Sequence, residues 1–147
     1  MFNFIERLYL MQPKNLVYFD CLTKCKTRMY YDRVAKVKYH KRELNVAFVD
    51  VDNLKRINDE YGHVQGSKRL EEIIGQIKKI IGVEDICRIG GDEFIVIGTY
   101  DPIALDKIDG ISYGVYLKEI YEALSSAVAK ADRLMYINKK AKKQIIC

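Results

Sequence analysis

Between Arg88 and Ile97 two short apolar runs are interrupted by Gly90-Gly91-Asp92-Glu93, and no other stretch of the chain restricts the fold as tightly. Glycines permit a sharp turn, and the runs on either side have strand length, so the segment predicts a β-hairpin with Gly90 and Gly91 at its turn. Two adjacent carboxylates at such a tip pack poorly and are well placed to meet a cation. Taken alone, the same residues also describe an ordinary solvated turn.

A second acid-tipped strand removes that ambiguity. Leu44 to Val51 is almost unbroken in its apolar character, which predicts a strand buried on both faces, and the run ends in Asp50 and Asp52. Side chains two apart on a strand share a side, so at least one of these carboxylates can face the Asp92 hairpin. Acids gathered at one end of a sheet repel one another unless a cation sits among them. Hard oxygen donors select magnesium or manganese, which suits phosphoryl chemistry.

The remaining pattern alternates helices with strands. Met1 to Met11 reads as a short lead-in helix before Pro13, and Cys21 to His40 as a charged helical segment. A helix from Asn53 to Tyr61 stops at Gly62. Gly66 to Ile81 carries an apolar stripe through Leu70, Ile73, Ile74, Ile77 and Ile81. Strands are expected near Asp85 to Ile89, Phe94 to Ile97 and Ile111 to Leu117, then a last helix from Glu119 with Ile120, Leu124, Val128, Ala131, Leu134 and Met135 on one face. Helices over one mostly antiparallel sheet give an α+β fold.

At 147 residues with 49% apolar content, the chain can bury one core without staples and is read as one compact domain. Its four cysteines show no metal-binding spacing and are expected as free thiols in a reducing cytoplasm. The first ten residues are too short and polar for a signal peptide or membrane span. A net charge of +5 is modest, and the terminal lysine cluster lacks the interleaved aromatics of a nucleic-acid surface, so neither membrane nor nucleic acid is an expected partner.

The run Asp50-Val51-Asp52-Asn53-Leu54-Lys55-Arg56-Ile57-Asn58-Asp59-Glu60-Tyr61-Gly62-His63-Val64-Gln65-Gly66, followed by Arg88 to Phe94, resembles the GGDEF domain of diguanylate cyclases. Asp20-Cys21-Leu22-Thr23 with Arg28, Ile111-Ser112-Tyr113-Gly114-Val115, and Ala131-Asp132 through Tyr136 with Lys139 are similar to further motifs of that family. The resemblance runs from residue 20 to 144, with residues 1–19 as lead-in. It implies the palm-like sheet shared with nucleotidyl cyclases, and a cytoplasmic homodimer that joins two purine nucleoside triphosphates into a cyclic dinucleotide. Two magnesium or manganese ions per site are implied, held by Asp50, Asp92 and the Val51 carbonyl, with Glu93 at the metal site or the attacking hydroxyl. The family's phosphate contacts fall on the amides of Asn53 and Leu54 and on Lys139 and Lys143, where an arginine is usual at the last position. Base recognition falls on Asn58 and on the place of Ser67.

Several departures bear on function. The family closes its Gly-His-x-x-Gly motif with aspartate, and this chain has Ser67. A carboxylate accepts from the guanine N1 and N2 donors, whereas a hydroxyl both donates and accepts, so Ser67 weakens discrimination against adenine. GTP is the default substrate, with ATP admitted and cyclic GMP-AMP or cyclic di-AMP as further products. Ser67 as a silent change in a guanine pocket is the competing reading. Ile81-Gly82-Val83-Glu84 stands where many members carry an inhibitory Arg-x-x-Asp, so product feedback there is not expected. Residues 98–110 replace a full helix, as in small relatives of the CRISPR polymerase subunit. A regulator on another chain and a catalytically silent nucleotide-binding module are the remaining alternatives. His63 is expected as a framework residue.

Overall fold

A computed structural model describes residues 17–146. Five strands form one sheet: β1 (Lys26–Thr27), β2 (Leu44–Val51), β3 (Val83–Arg88), β4 (Glu93–Gly98) and β5 (Ile111–Lys118). Their order is β1-β3-β4-β2-β5, with only the β1–β3 pair parallel. Helix α1 joins Arg28–Tyr30, a π-helical Tyr31–Ala35 and Lys36–Lys38; α2 is Leu54–Tyr61, α3 His63–Lys78 and α4 Leu124–Ile146. The lead-in helix expected over Met1 to Met11, and Cys147, lie outside the described residues.

The apolar run of β2 is continuous because both faces are covered. Val46 and Phe48 pack with Ile95, Ile97, α1 and the Leu124, Ala127, Ala131 and Met135 stripe of α4. Ala47, Val49 and Val51 face the other way, onto Leu70, Ile73, Ile74 and Ile77 of α3 and Phe94, Val96 and Ile111. This side-to-side alternation is the period of a strand, so the even-numbered positions of β2 all look toward α4.

Four helix boundaries differ from the sequence expectation. The helix expected from Cys21 starts only at Arg28, because Asp20 accepts from the amide and hydroxyl of Thr23 at 2.7 Å each and holds a turn in place of helix. Helix α3 begins earlier, directly after Gly62 at φ 86°, which leaves His63 exposed rather than packed. It also ends earlier, so Ile81 is 90% exposed beside the left-handed Gly82 rather than in the core. The last helix begins five residues late because the fully buried Lys118 ammonium donates to the carbonyls of Glu119, Arg42 and His40 at 2.9, 2.9 and 3.3 Å. That knot keeps Ile120 in a turn, 46% exposed. Residues 98–110 contain one 3₁₀ turn, Pro102–Lys107, consistent with the brief turn expected there.

Cys25 and Cys87 are buried and Cys21 exposed, all as free thiols. Among the described residues no helix is long and apolar enough to cross a membrane.

Helix α4 approaches β5 at Gly114, where a Cβ would overlap the carbonyl oxygen of Ala131 and the amide nitrogen of Met135. Both obstacles are backbone and cannot rotate away. Gly114→Ala is therefore expected to cost about 1–3 kcal/mol, read as a lower midpoint in urea unfolding of the purified chain.

Candidate active site

The antiparallel register of β2 and β4 sets Asp50 directly opposite Glu93. Both look toward α4, on the face that carries Val46, Phe48, Ile95 and Ile97. One step further on, the Val51 amide donates to the Asp92 carbonyl at 2.9 Å, so the hairpin tip closes over the end of β2. The two acid-tipped strands thus converge as their sequences predict. Asp50 is 6% exposed. Burial and the charges of Asp92 and Asp52 push its carboxyl above the usual aspartate range, against the pull of Lys139. Burial, then Asp92, Asp50 and Asp132, push Glu93 the same way.

The counter-charge comes from α4. Its buried stripe at Ala127, Ala131 and Met135 continues at the same four-residue spacing into Lys139 and Lys143, so the helix face turns from apolar to cationic where the strands end in acids. Lys139 Nζ lies 2.7 Å from Asp50 Oδ1. Burial disfavours its charge, but the Asp50, Asp92 and Asp52 carboxylates outweigh that and hold the ammonium protonated. Asn138 Nδ2 donates to the Tyr113 carbonyl at 2.7 Å and Lys142 to the Ile111 carbonyl, which pins the helix along β5.

Asp52 lies beyond β2, in the turn before α2. Its Oδ1 accepts from Ser112 Oγ at 2.6 Å, and its Oδ2 lies 3.4 Å from Lys142 Nζ. Asn53 follows in the left-handed conformation, φ 58°, which asparagine tolerates better than most residues. It opens α2 at the edge of a cleft of about 300 Å³, lined by Asp50, Asp52, Asn53, Leu54, Asp92, Lys139, Lys142 and Lys143 among others. Asn58 and Ser67 lie outside that lining. Asn58 sits at the α2–α3 contact, where Gly66 leaves room for its carboxamide, which a Cβ at 66 would overlap, and Ser67 is the next residue of α3. Asn58 also accepts from the Gly62 amide through its carbonyl at 2.9 Å.

The donor set fits a small hard cation. Among the described residues no three acidic, histidine or cysteine side chains gather tightly enough to hold a metal by themselves. Asp50 and Asp92, carboxylates lining an open cleft, are the arrangement magnesium accepts when ligand phosphates and water complete its shell. Asp52 and Lys142, visible in the sequence as a strand-end acid and a member of the terminal lysine cluster, line the cleft, and so does Ser112, to which the sequence reading gives no role.

The hairpin itself is braced from behind. Arg88 Nη2 donates to the Gly91 carbonyl at 2.7 Å, while its Nη1 lies 3.2 and 3.1 Å from the two oxygens of Asp20. Burial raises the Asp20 pKa, but the Thr23 hydroxyl and amide and the Arg88 charge outweigh it and hold the carboxyl below the usual aspartate range.

Residues 17–109 match the family described as diguanylate cyclase, GGDEF domain. The diguanylate cyclase DgcS of Shewanella oneidensis is 38% identical over 85 residues, covering 54% of this chain and 29% of that protein. DgcP of Pseudomonas aeruginosa, also a diguanylate cyclase, is 45% identical over 56 residues, covering 37% of this chain and 8% of that protein. The chain thus spans well under half the length of these curated relatives. Among solved structures, the coiled-coil and GGDEF portion of DgcB from Caulobacter crescentus, in complex with c-di-GMP, superposes with a TM-score of 0.77 at 20% identity, over 92% of this chain and 87% of that one. The isolated GGDEF domain of TpbB from Pseudomonas aeruginosa gives 0.67 at 26% identity, over 84% and 89%.

A carboxylate with a depressed pKa stabilises the fold above its unfolded pKa and loses that contribution as pH falls through the folded value. Asp20→Asn is expected to lower the thermal midpoint at pH 7. The gap to the parent should close as pH drops below about 4, which a series of melts from pH 7 to pH 2 would measure.

Proposed function

The chain belongs to the GGDEF family of diguanylate cyclases, and on that premise we propose that it condenses two molecules of GTP into cyclic di-GMP with release of two pyrophosphates. In each half-reaction a 3′-hydroxyl forms a bond to the α-phosphorus of the other nucleotide, the α–β phosphoanhydride bond breaks, and the hydroxyl proton leaves to a base or solvent. The observation that supports this most is the pairing of Asp50 with Glu93 beside Asp92, at the mouth of a cleft rimmed by lysines. Such a site attracts a divalent cation and a polyphosphate together.

Asp50, Asp92 and the Val51 carbonyl are the proposed ligands of magnesium or manganese, two ions per site. When bound, the metal supplies neutralisation of the triphosphate and a lower pKa for the attacking hydroxyl. Glu93 lies opposite Asp50, where it contacts the metal shell or the ribose hydroxyl. The amides of Asn53 and Leu54 receive the terminal phosphates. Lys139 exchanges its Asp50 partner for a share of the phosphate charge, and Lys143 reaches the same group. Asn58 reads the purine edge, with Ser67 beside it. Because one domain holds one substrate, two copies must meet face to face, and a transient homodimer is part of the proposal. Residues 1–147 are proposed as one catalytic domain, with 20–144 its family-matching part, working in the cytoplasm either constantly or under a separate regulator on another chain.

Ser67 relaxes the base preference, so ATP is a second substrate and an adenine-containing cyclic dinucleotide a second product. Incubation of the purified chain with Mg²⁺ or Mn²⁺ and GTP, ATP or both, with products resolved by mass spectrometry, tests both statements. Asp92→Ala and Asp50→Ala should each reduce turnover at least about 100-fold, the scale on which electrostatic and metal-site groups act. Cyclic di-GMP as sole product from the mixture would show that Ser67 leaves guanine selectivity intact. No product under any condition would favour a nucleotide-binding module without catalysis.

Gly66→Ala provides a separate check on the base site. Its methyl group displaces the Asn58 carboxamide, so the KM for GTP should rise several-fold with less change in kcat.

A further inference from the structure

The trimmed segment between β4 and β5 ends in a corner, Asp109-Gly110, whose exposed carbonyl at Asp109 is bonded by a side chain of α3. Arg69 Nη2 donates to the Asp109 carbonyl at 2.8 Å, and Glu72 lies 3.5 Å from Nη1. Gly110 has φ 82°, and a Cβ there would overlap the Arg69 guanidinium, so the guanidinium rests against bare glycine backbone. With its side chain 29% exposed, Arg69 makes a partly shielded, charge-assisted bond of the stronger kind.

The other side of the corner reaches the active site. The Gly110 carbonyl accepts from the Asp52 amide at 2.9 Å. Asp52 immediately precedes the left-handed Asn53 that opens α2, and its carboxylate is held by Ser112 and Lys142. Two hydrogen bonds and one glycine thus connect the helix that carries Ser67 to the turn that presents the Asn53 and Leu54 amides. Arg69 itself lines a different groove, with Ile57, Tyr61, Gln65, Lys68 and Glu72, and does not line the Asp50 cleft.

We propose that Arg69 is a positioning residue for nucleotide binding, which latches the Asp109-Gly110 corner so that the Gly110 carbonyl fixes the Asp52-Asn53 turn and its amides beneath the substrate phosphates. The consequence for the substrate rests on the cyclase reading above, while the latch is a property of the fold alone. Here Ile108 and Ile111 on either side of the corner pack into the core with the α3 stripe, and Arg69 bonds the exposed Asp109 carbonyl between them.

The test compares the parent chain with Arg69→Ala, Arg69→Lys, Gly110→Ala and the Arg69→Ala/Gly110→Ala double variant. Amide exchange at Asp52, followed by NMR, reads the latch without any need for activity, and steady-state kinetics with GTP reads its consequence. Arg69→Ala should speed Asp52 exchange about tenfold relative to the α3 core amides. It should raise the KM for GTP several-fold with kcat within about twofold, with part of the effect recovered in Arg69→Lys. In the Gly110→Ala background the further loss on removing Arg69 should largely vanish, because both changes break the same contact. Unchanged Asp52 exchange in Arg69→Ala, a fall in kcat with KM unaltered, or fully additive losses would each overturn the proposal. Faster Asp52 exchange in Arg69→Ala, together with a parent that makes no product, would support the latch and overturn the cyclase reading.

Discussion

Two like charges facing each other across an antiparallel pair govern the functional end of this molecule. Asp50 and Glu93 are cross-strand neighbours on one face, an arrangement that destabilises a sheet by up to about 1 kcal/mol when nothing intervenes. The register cannot slip to relieve it, because a shift of one residue would turn Val46, Phe48, Ile95 and Ile97 out of their core. Positive charge must therefore be brought to the acids. Lys139 supplies it, and it can do so only because α4 lies close enough to β5 for Gly114 to touch the helix backbone. Hydrophobic packing along the helix and electrostatic compensation at its end are one requirement, met by one helix.

The site is assembled from pieces far apart in sequence, each tied down through a backbone carbonyl. Arg88 holds the Gly91 carbonyl, Asn138 that of Tyr113, Lys142 that of Ile111 and Arg69 that of Asp109. Carbonyl contacts of this kind fix the path of the chain, leaving the carboxylates of Asp50 and Asp92 to line the cleft. Asp85 plays the corresponding part at the other side of the sheet, where one of its oxygens accepts from Tyr39 at 2.6 Å and Tyr30 at 3.0 Å, with Lys38 Nζ 3.1 Å away, so that α1 is secured on β3.

Much of this was legible in the chain. The bounds of β2 and the Gly62 stop of α2 follow from apolar runs and a glycine, which are local signals. The strand-end acids and the lysine cluster were visible as residue types. What misled was any signal whose meaning depends on a distant partner. Ile81 continues a helical stripe in sequence, yet Gly82 must turn back beneath the Thr99 backbone and the helix stops first. Ile120 continues the stripe of α4 backwards, yet a buried lysine from β5 captures the carbonyls there.

The sequence by itself determined the α+β class, the two acid-tipped strands and the family, because periodicity and the Gly90 to Phe94 signature are written in consecutive residues. Only the tertiary structure decided which carboxylates face one another, which lysine answers them and how the short 98–110 segment is held. Those outcomes depend on strand register and on the close approach of α4 and α3 to chain segments some 40 to 90 residues away in sequence, as between Arg69 and Asp109 or Asp50 and Lys139. Contacts across such separations are set by how whole layers pack, and no local pattern of residues encodes them.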